Sequence, residues 1–191
     1  MNSKMIFVLA FIPIALVQLY VPARIIIDRF IVLNTGREFR FRTAPIDPND
    51  PFRGKYIDLL FNDNAVQIQT KESWTNGEKV FVLLTTDSNG FARISSPSRE
   101  RPRGSEDYLI AKAGYVNCND SKLSIEFPFD RFYMEESKAH EAELTYNRVS
   151  EDSSQFAYAL VNIKNGESVL KDVMINGISI REIVKQQQNK K

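Results

Sequence analysis

The chain reads as a mainly β (α+β) protein: an N-terminal transmembrane helix followed by a β-barrel or sandwich-like domain with one helix. Three observations predict this. Met5 to Val21 is an apolar run broken only by Pro13 and Gln18. Beyond it, short alternating or continuous apolar runs recur between turn signals, among them Asn76-Gly77, Asn89-Gly90, Asn165-Gly166 and Asn176-Gly177; such spacing favours a barrel or sandwich over a parallel sheet. Only Glu136 to Asn147 carries helical spacing, with Ala139, Ala142 and Tyr146 on one side and Glu135 and Glu136 at the positive N-terminal end.

Taken in order, the apolar run comes first. Spanning a bilayer needs about 20 apolar residues, and Ile25 to Ile27 extend the run if Arg24 snorkels to the headgroups. A signal anchor, a cleaved signal peptide and a buried core helix all fit an apolar N-terminus. The run shows no clear small-x-small cleavage site and no polar face, which favours the anchor. Glu38 to Thr43 alternates and predicts a strand with Phe39 and Phe41 inward. Ala65 to Gln69 alternates again, and Lys79 to Thr86 is a continuous apolar strand, buried on both faces. A short strand at Phe91 to Ile94 follows. Ser95 to Ser105 has two prolines, three arginines and no large apolar residue, so it predicts a solvated loop or one that binds lipid headgroups or another polyanion. Tyr108 to Tyr115, Lys122 to Phe127, Phe156 to Ile163, Val169 to Ile175 and Ile178 to Val184 are the remaining strands. These bounds give an anchor over 1–28, a β-rich domain over 29–184 and a disordered tail over 185–191.

Composition limits the function classes. The chain has 191 residues, 43% of them hydrophobic and 13 of them Phe, which supplies a core. A net charge of +1 gives no global pull toward nucleic acid, and no nucleic-acid partner is expected. One cysteine, Cys118, leaves no intrachain disulfide, and one histidine, His140, leaves no His-rich metal site. No Gly-rich phosphate loop, Gly-x-Ser-x-Gly or Cys-x-x-Cys is present. No cofactor, metal or catalytic residue is assigned.

Two blocks stand out. The first, Pro45 to Phe61, packs Pro45, Asp47, Pro48, Asp50 and Pro51 into a stiff turn, follows it with Arg53 and the pivot Gly54, and then alternates. Ile57, Leu59 and Phe61 form its inward set; Tyr56, Asp58 and Leu60 form the other. The second block, Phe127 to Glu136, sets Arg131, Tyr133, Glu135 and Glu136 among aromatic residues, with Glu143 following. Asp47, Pro48, Asp50, Arg53, Gly54, Tyr56, Arg131, Tyr133, Glu135, Glu136 and Glu143 are the candidate binding residues. An ion-pair network pinning the proline turn to the helix start, with Arg53 held by Glu135 or Glu143, would use the bidentate geometry of arginine. A ligand or partner surface, or a carboxylate acid–base pair, would use the same residues.

Asp47-Pro48-x-Asp50-Pro51-Phe52-Arg53-Gly54-x-Tyr56-x-x-Leu59-x-Phe61 resembles the signature of the GDYXXLXY family, and the second block resembles that family's later motif of aromatic residues, Arg and Glu. Lys55 stands where the family has Asp, which removes a carboxylate, and Phe61 stands where it has Tyr, which removes only a hydroxyl. The resemblance implies a bacterial, membrane-anchored protein without an assigned activity.

Orientation rests on opposed signals. Lys4 and the amino terminus precede the span, whereas Arg24, Arg29, Arg37, Arg40 and Arg42 follow it, which by the positive-inside rule favours a cytoplasmic domain. A short basic N-terminus before an apolar run is how exported anchors begin, and the resemblance implies an envelope-facing domain. The expectation is a single-pass membrane protein with its C-terminal domain outside the cytoplasm. It would serve as a non-enzymatic interaction or scaffold module docking an envelope or membrane-protein partner. A ligand-binding sensor built on the Arg and Glu residues, or a membrane-proximal hydrolase, are the other readings.

Overall fold

The computed structural model describes residues 3–44, 56–69, 73–104, 107–117, 120–135, 142, 144–146 and 156–189. Helix α1 (Ser3–Thr35) holds 33 residues, about 50 Å at 1.5 Å per residue. Its segment Phe11–Thr35 is long and apolar enough to cross a membrane, and none of it is buried over the most apolar window. The helix runs past the end of the apolar block, through Arg24, Asp28 and Arg29. It closes when Gly36 donates its amide hydrogen bond to Val32 O at 2.9 Å.

Strand β1 (Arg37–Ala44) begins at the next residue. It pairs with β10 (Ala157–Lys164) and β3 (Leu60–Phe61), and the sheet continues through β11 (Glu167–Ile175) to β12 (Ile178–Ser179), in the order β12-β11-β10-β1-β3. A second five-stranded sheet has the order β4-β8-β7-β5-β6, from β4 (Ala65–Gln67), β8 (Lys122–Glu126), β7 (Tyr108–Asn117), β5 (Lys79–Thr86) and β6 (Ala92–Ser98). The two curl into a nearly closed barrel-like sheet. The Asn165-Gly166 turn between β10 and β11 helps to close it: Ile110 N donates to Gly166 O at 2.9 Å, and Leu109 bridges Gly166 in parallel. A Cβ on Gly166 would strike Tyr108 and Ile110, so this approach needs glycine.

The inward sets follow the alternation. Phe39, Phe41, Ile57, Leu59, Phe61, Leu123, Ile125 and Phe127 are all buried. Phe41, Phe61, Phe127 and Phe129 form an aromatic cluster, with ring centroids 5.0 to 6.1 Å apart.

Three expectations are corrected. Ile178 to Val184 is not a strand: after the two residues of β12 the chain turns into helix α2 (Ile180–Gln188). Ile180 and Val184, four apart, bury completely, and α2 runs into the segment read as a tail. The helical pattern at 136–147 is therefore not alone in the domain, although Ala142 and Leu144 to Tyr146 are helical as expected. Finally, the loop read at Ser95 to Ser105 starts late, because β6 continues to Ser98. Pro97, opposite Val82, sits on an edge strand where a missing N–H is tolerated. Arg99 is not solvated freely. Its Nε donates to Glu78 Oε1 at 2.6 Å and its guanidinium lies 4.1 Å from the Trp74 ring centroid.

Candidate functional site

Apart from the two five-stranded sheets there is a short ribbon, β2 (Tyr56–Asp58) paired antiparallel with β9 (Arg131–Tyr133). It joins the two sequence blocks residue against residue: Tyr56 opposite Tyr133, Ile57 opposite Phe132, Asp58 opposite Arg131. Leu59 N extends the ladder by donating to Asp130 O at 2.7 Å. Among the described residues the join is thus made by backbone pairing and the Phe61, Phe127 and Phe129 cluster, with side-chain contacts added across the ladder.

The pleat sorts the ribbon's side chains. Ile57 and Phe132 point into the core, and Arg181 of α2 places its guanidinium 4.9 Å from the Phe132 ring centroid. The outer set is polar and aromatic. The Tyr56 and Tyr133 rings lie 5.5 Å apart, tilted by 53°. The Arg131 guanidinium sits 5.0 Å from the Tyr56 ring centroid, within cation–π range. Arg131 Nε lies 3.6 Å from Asp58 Oδ1. Hydrogen bonding to the Tyr133 hydroxyl, then the nearby Tyr56 and Asp130, hold Arg131 protonated above the usual arginine range. Tyr133 is 63% exposed, and about half of the Arg131 side chain is open. An aromatic pair with a fixed cation presents apolar area and directed donors at once, the combination enriched in protein interfaces.

Of the candidate residues, the structure brings Tyr56, Arg131 and Tyr133 together. Glu135 lies exposed at the end of β9, next in sequence but one to Tyr133. Asp47, Pro48, Asp50, Arg53, Gly54, Glu136 and Glu143 lie outside the described residues, and with them the expected pairing of Arg53 with Glu135 or Glu143. Asp58 was missed as a site residue. Its signal was position: two residues after Tyr56, it shares the same face of the strand. Among the described residues no group of three His, Cys, Asp or Glu is placed to hold a metal.

Beyond Leu59 the same two blocks wall an open groove of about 820 Å³. Leu60, Phe61, Phe127 and Asp130 line it together with Lys112 and Tyr115 of β7. Its volume is that of a small-molecule site.

A second constellation was not foreseen at all: the seat of α1. Arg29 Nη1 donates to Ser168 O at 2.6 Å, and Asn162 Nδ2 donates to Leu33 O at 2.6 Å. Lys164 Nζ donates to Thr35 Oγ1 at 2.7 Å. Val32 is 6% exposed beneath this lattice. Asn162, a polar residue in the apolar run Ala157 to Ile163, was the only local hint.

No curated protein and no solved structure matches the chain. The family described as GDYXXLXY protein matches residues 18–173, from the middle of α1 to the end of β11, and so takes in the ribbon, the groove and the seat of the helix. The chain belongs to the GDYXXLXY family.

Proposed function

We propose that this protein is a single-pass, membrane-anchored interaction module of the bacterial cell envelope. Its β domain stands outside the cytoplasm and presents the Tyr56–Arg131–Tyr133 surface to a membrane-protein or envelope partner. The observation that carries this reading is the exposed tyrosine pair with a positioned arginine, on a domain seated directly against an apolar helix. Tyrosine and arginine bury large area at low entropic cost and commonly anchor such contacts. The apolar flanks of α1 support the membrane location.

The reading is tested in intact cells. A photo-crosslinking amino acid replacing Tyr133 should give a discrete adduct in the membrane fraction, and Arg131→Ala should abolish it. An adduct unchanged by Arg131→Ala removes the surface from the proposal. A reporter fused after Lys191 should be active only when exported; activity confined to the cytoplasm overturns the orientation.

The groove favours a second reading, a ligand-binding sensor. Its apolar floor and the Lys112 and Asp130 rim suit a small amphiphilic molecule. Native mass spectrometry of the detergent-purified chain should then show a co-purified small molecule lost on Leu60→Glu.

A further inference from the structure

We infer that two copies of this chain pair in parallel through α1, along a seam that continues beyond the bilayer. The inference rests on the membrane-anchor reading, and it starts from the level at which the β domain meets the helix.

The end of the β10–β11 hairpin stands beside the lower half of α1. Lys164, Asn165 and Glu167 share a cavity of about 380 Å³ with Ile25, Asp28, Arg29 and Val32. A hairpin end with a lysine and a glutamate does not sit in hydrocarbon, where strand edges and charges are strongly disfavoured. The level from Ile25 downward is therefore at or outside the headgroups. The chain above it, Met5 to Arg24, matches the roughly 20 residues that a span needs.

Below that level α1 is still apolar on the side away from its seat. Val32 is buried against the domain, yet Ile26 is 68% and Phe30 64% exposed, and Leu33 remains partly open. Among the described residues nothing covers Ile26 or Phe30. Outside the hydrocarbon, lipid tails do not cover them either.

The spacing of these residues identifies the cover. Ile12, Leu16, Leu19, Ala23, Ile26, Phe30 and Leu33 follow one another at alternating intervals of four and three. That is an unbroken heptad seam, with Ile12, Leu19, Ile26 and Leu33 at one core position and Leu16, Ala23 and Phe30 at the other. The seam crosses from the bilayer portion into the water-facing portion without a change of phase. No charged residue of this stretch falls on it. Arg24 and Asp28 occupy outer positions and pair with each other at 3.5 Å, and Arg29 is held by Ser168 O. Ala23, small and mid-seam, lets two helices approach closely.

A second copy is the occupant that needs nothing further. Insertion into the same membrane gives every copy the same direction and the same height, so identical seams meet in register around a two-fold axis. Each domain sits against the Ile25, Arg29 and Val32 flank of its own helix and meets the seam only at Leu33, whose carbonyl accepts from Asn162, which leaves Ile26 and Phe30 open to the partner.

Single cysteines from Ala23 to Leu33, introduced into the full chain carrying Cys118→Ser, test this in native membranes with a mild oxidant. Disulfide-linked dimer should peak at Ala23→Cys, Ile26→Cys and Phe30→Cys, several-fold above Arg24→Cys and Asp28→Cys. Flat yields, no yield, or peaks on the Arg24 and Asp28 side overturn the seam. Because a cysteine variant could fail to assemble, the mass of the unaltered full chain in lipid nanodiscs is the second measurement: a dimer is expected, and a monomer overturns the proposal. Extraction of membranes at alkaline pH separates the two readings. Release of the unaltered chain defeats the anchor itself, whereas a retained chain with no periodic cross-linking defeats only the pairing.

Discussion

Two arginines sit in contrasting settings. Arg29, at the seat of α1, is partly buried and gives its hydrogen bond to a main-chain carbonyl of the sheet. Arg131, on the ribbon, is half open, rests over a tyrosine ring and stands 3.6 Å from a carboxylate. Main-chain carbonyls are fixed by the ladder, so Arg29 ties two elements together. Side-chain partners at a surface are free to exchange for others, so Arg131 is available to a third party. The same residue type is structural in one region and presentable in the other, and the partner's freedom decides which.

Substitutions that separate stability from association sharpen this contrast. The largest effect is expected from Val32→Asp, which forces a carboxylate into the apolar contact under the helix seat. A loss of about 3 kcal/mol is expected from desolvating that charge, which the nearby Arg29 and Lys164 offset only in part, read as a collapse of the melting temperature in detergent. Survival of the native transition would show that the seat is not packed as described. Gly36→Ala comes next. A Cβ there would lie 2.5 Å from the Val32 carbonyl oxygen, so backbone must shift, at about 1–3 kcal/mol, with faster amide exchange over residues 30–36. Arg131→Ala should cost at most about 1 kcal/mol, as for exposed pairs, while removing the Tyr133 cross-link; a melting shift as large as that of Gly36→Ala would make Arg131 structural after all. The smallest change is expected at Ser168, whose buried hydroxyl has no hydrogen-bond partner among the described residues. Arg29 uses its carbonyl and not its hydroxyl, so Ser168→Ala should leave the melting temperature within error or raise it slightly.

Much of the domain was readable because its signals are local. Ile57, Leu59 and Phe61 alternate with polar neighbours and bury as a set. Asn165 and Asn176, with φ of 52° and 49°, precede glycines with φ of 84°, as the mirror-image hairpin turns demand. The misreadings have separate causes. From Ile178 to Val184, the apolar residues Ile178, Ile180 and Val184 also fit a two-residue period; only Glu182, which breaks that period, and Ile183, which fits the helical one, speak for a helix. Pro97 read as a loop because nothing local says that its strand lies at an edge. The seat of α1 was unreadable for a stronger reason: its partners are separated from the helix by more than a hundred residues, and their meeting follows from strand order. Of the candidate site, the Tyr56 and Tyr133 pairing is equally non-local, but shared chemistry in the two blocks pointed toward it.

Gly36 alone separates the last residue of α1 from the first of β1. The domain therefore has no gimbal. With α1 in a bilayer, any tilt the lipids impose, on average about 20°, is passed to the barrel with Pro22 as the place where the helix can bend on the way. The ribbon's tyrosines ride at a radius from that rod, so a thicker or thinner membrane would re-aim them as well as raise or lower them. Lipid composition then becomes a steering input, and a partner of fixed height would meet the platform at the right bearing only in membranes of matching thickness.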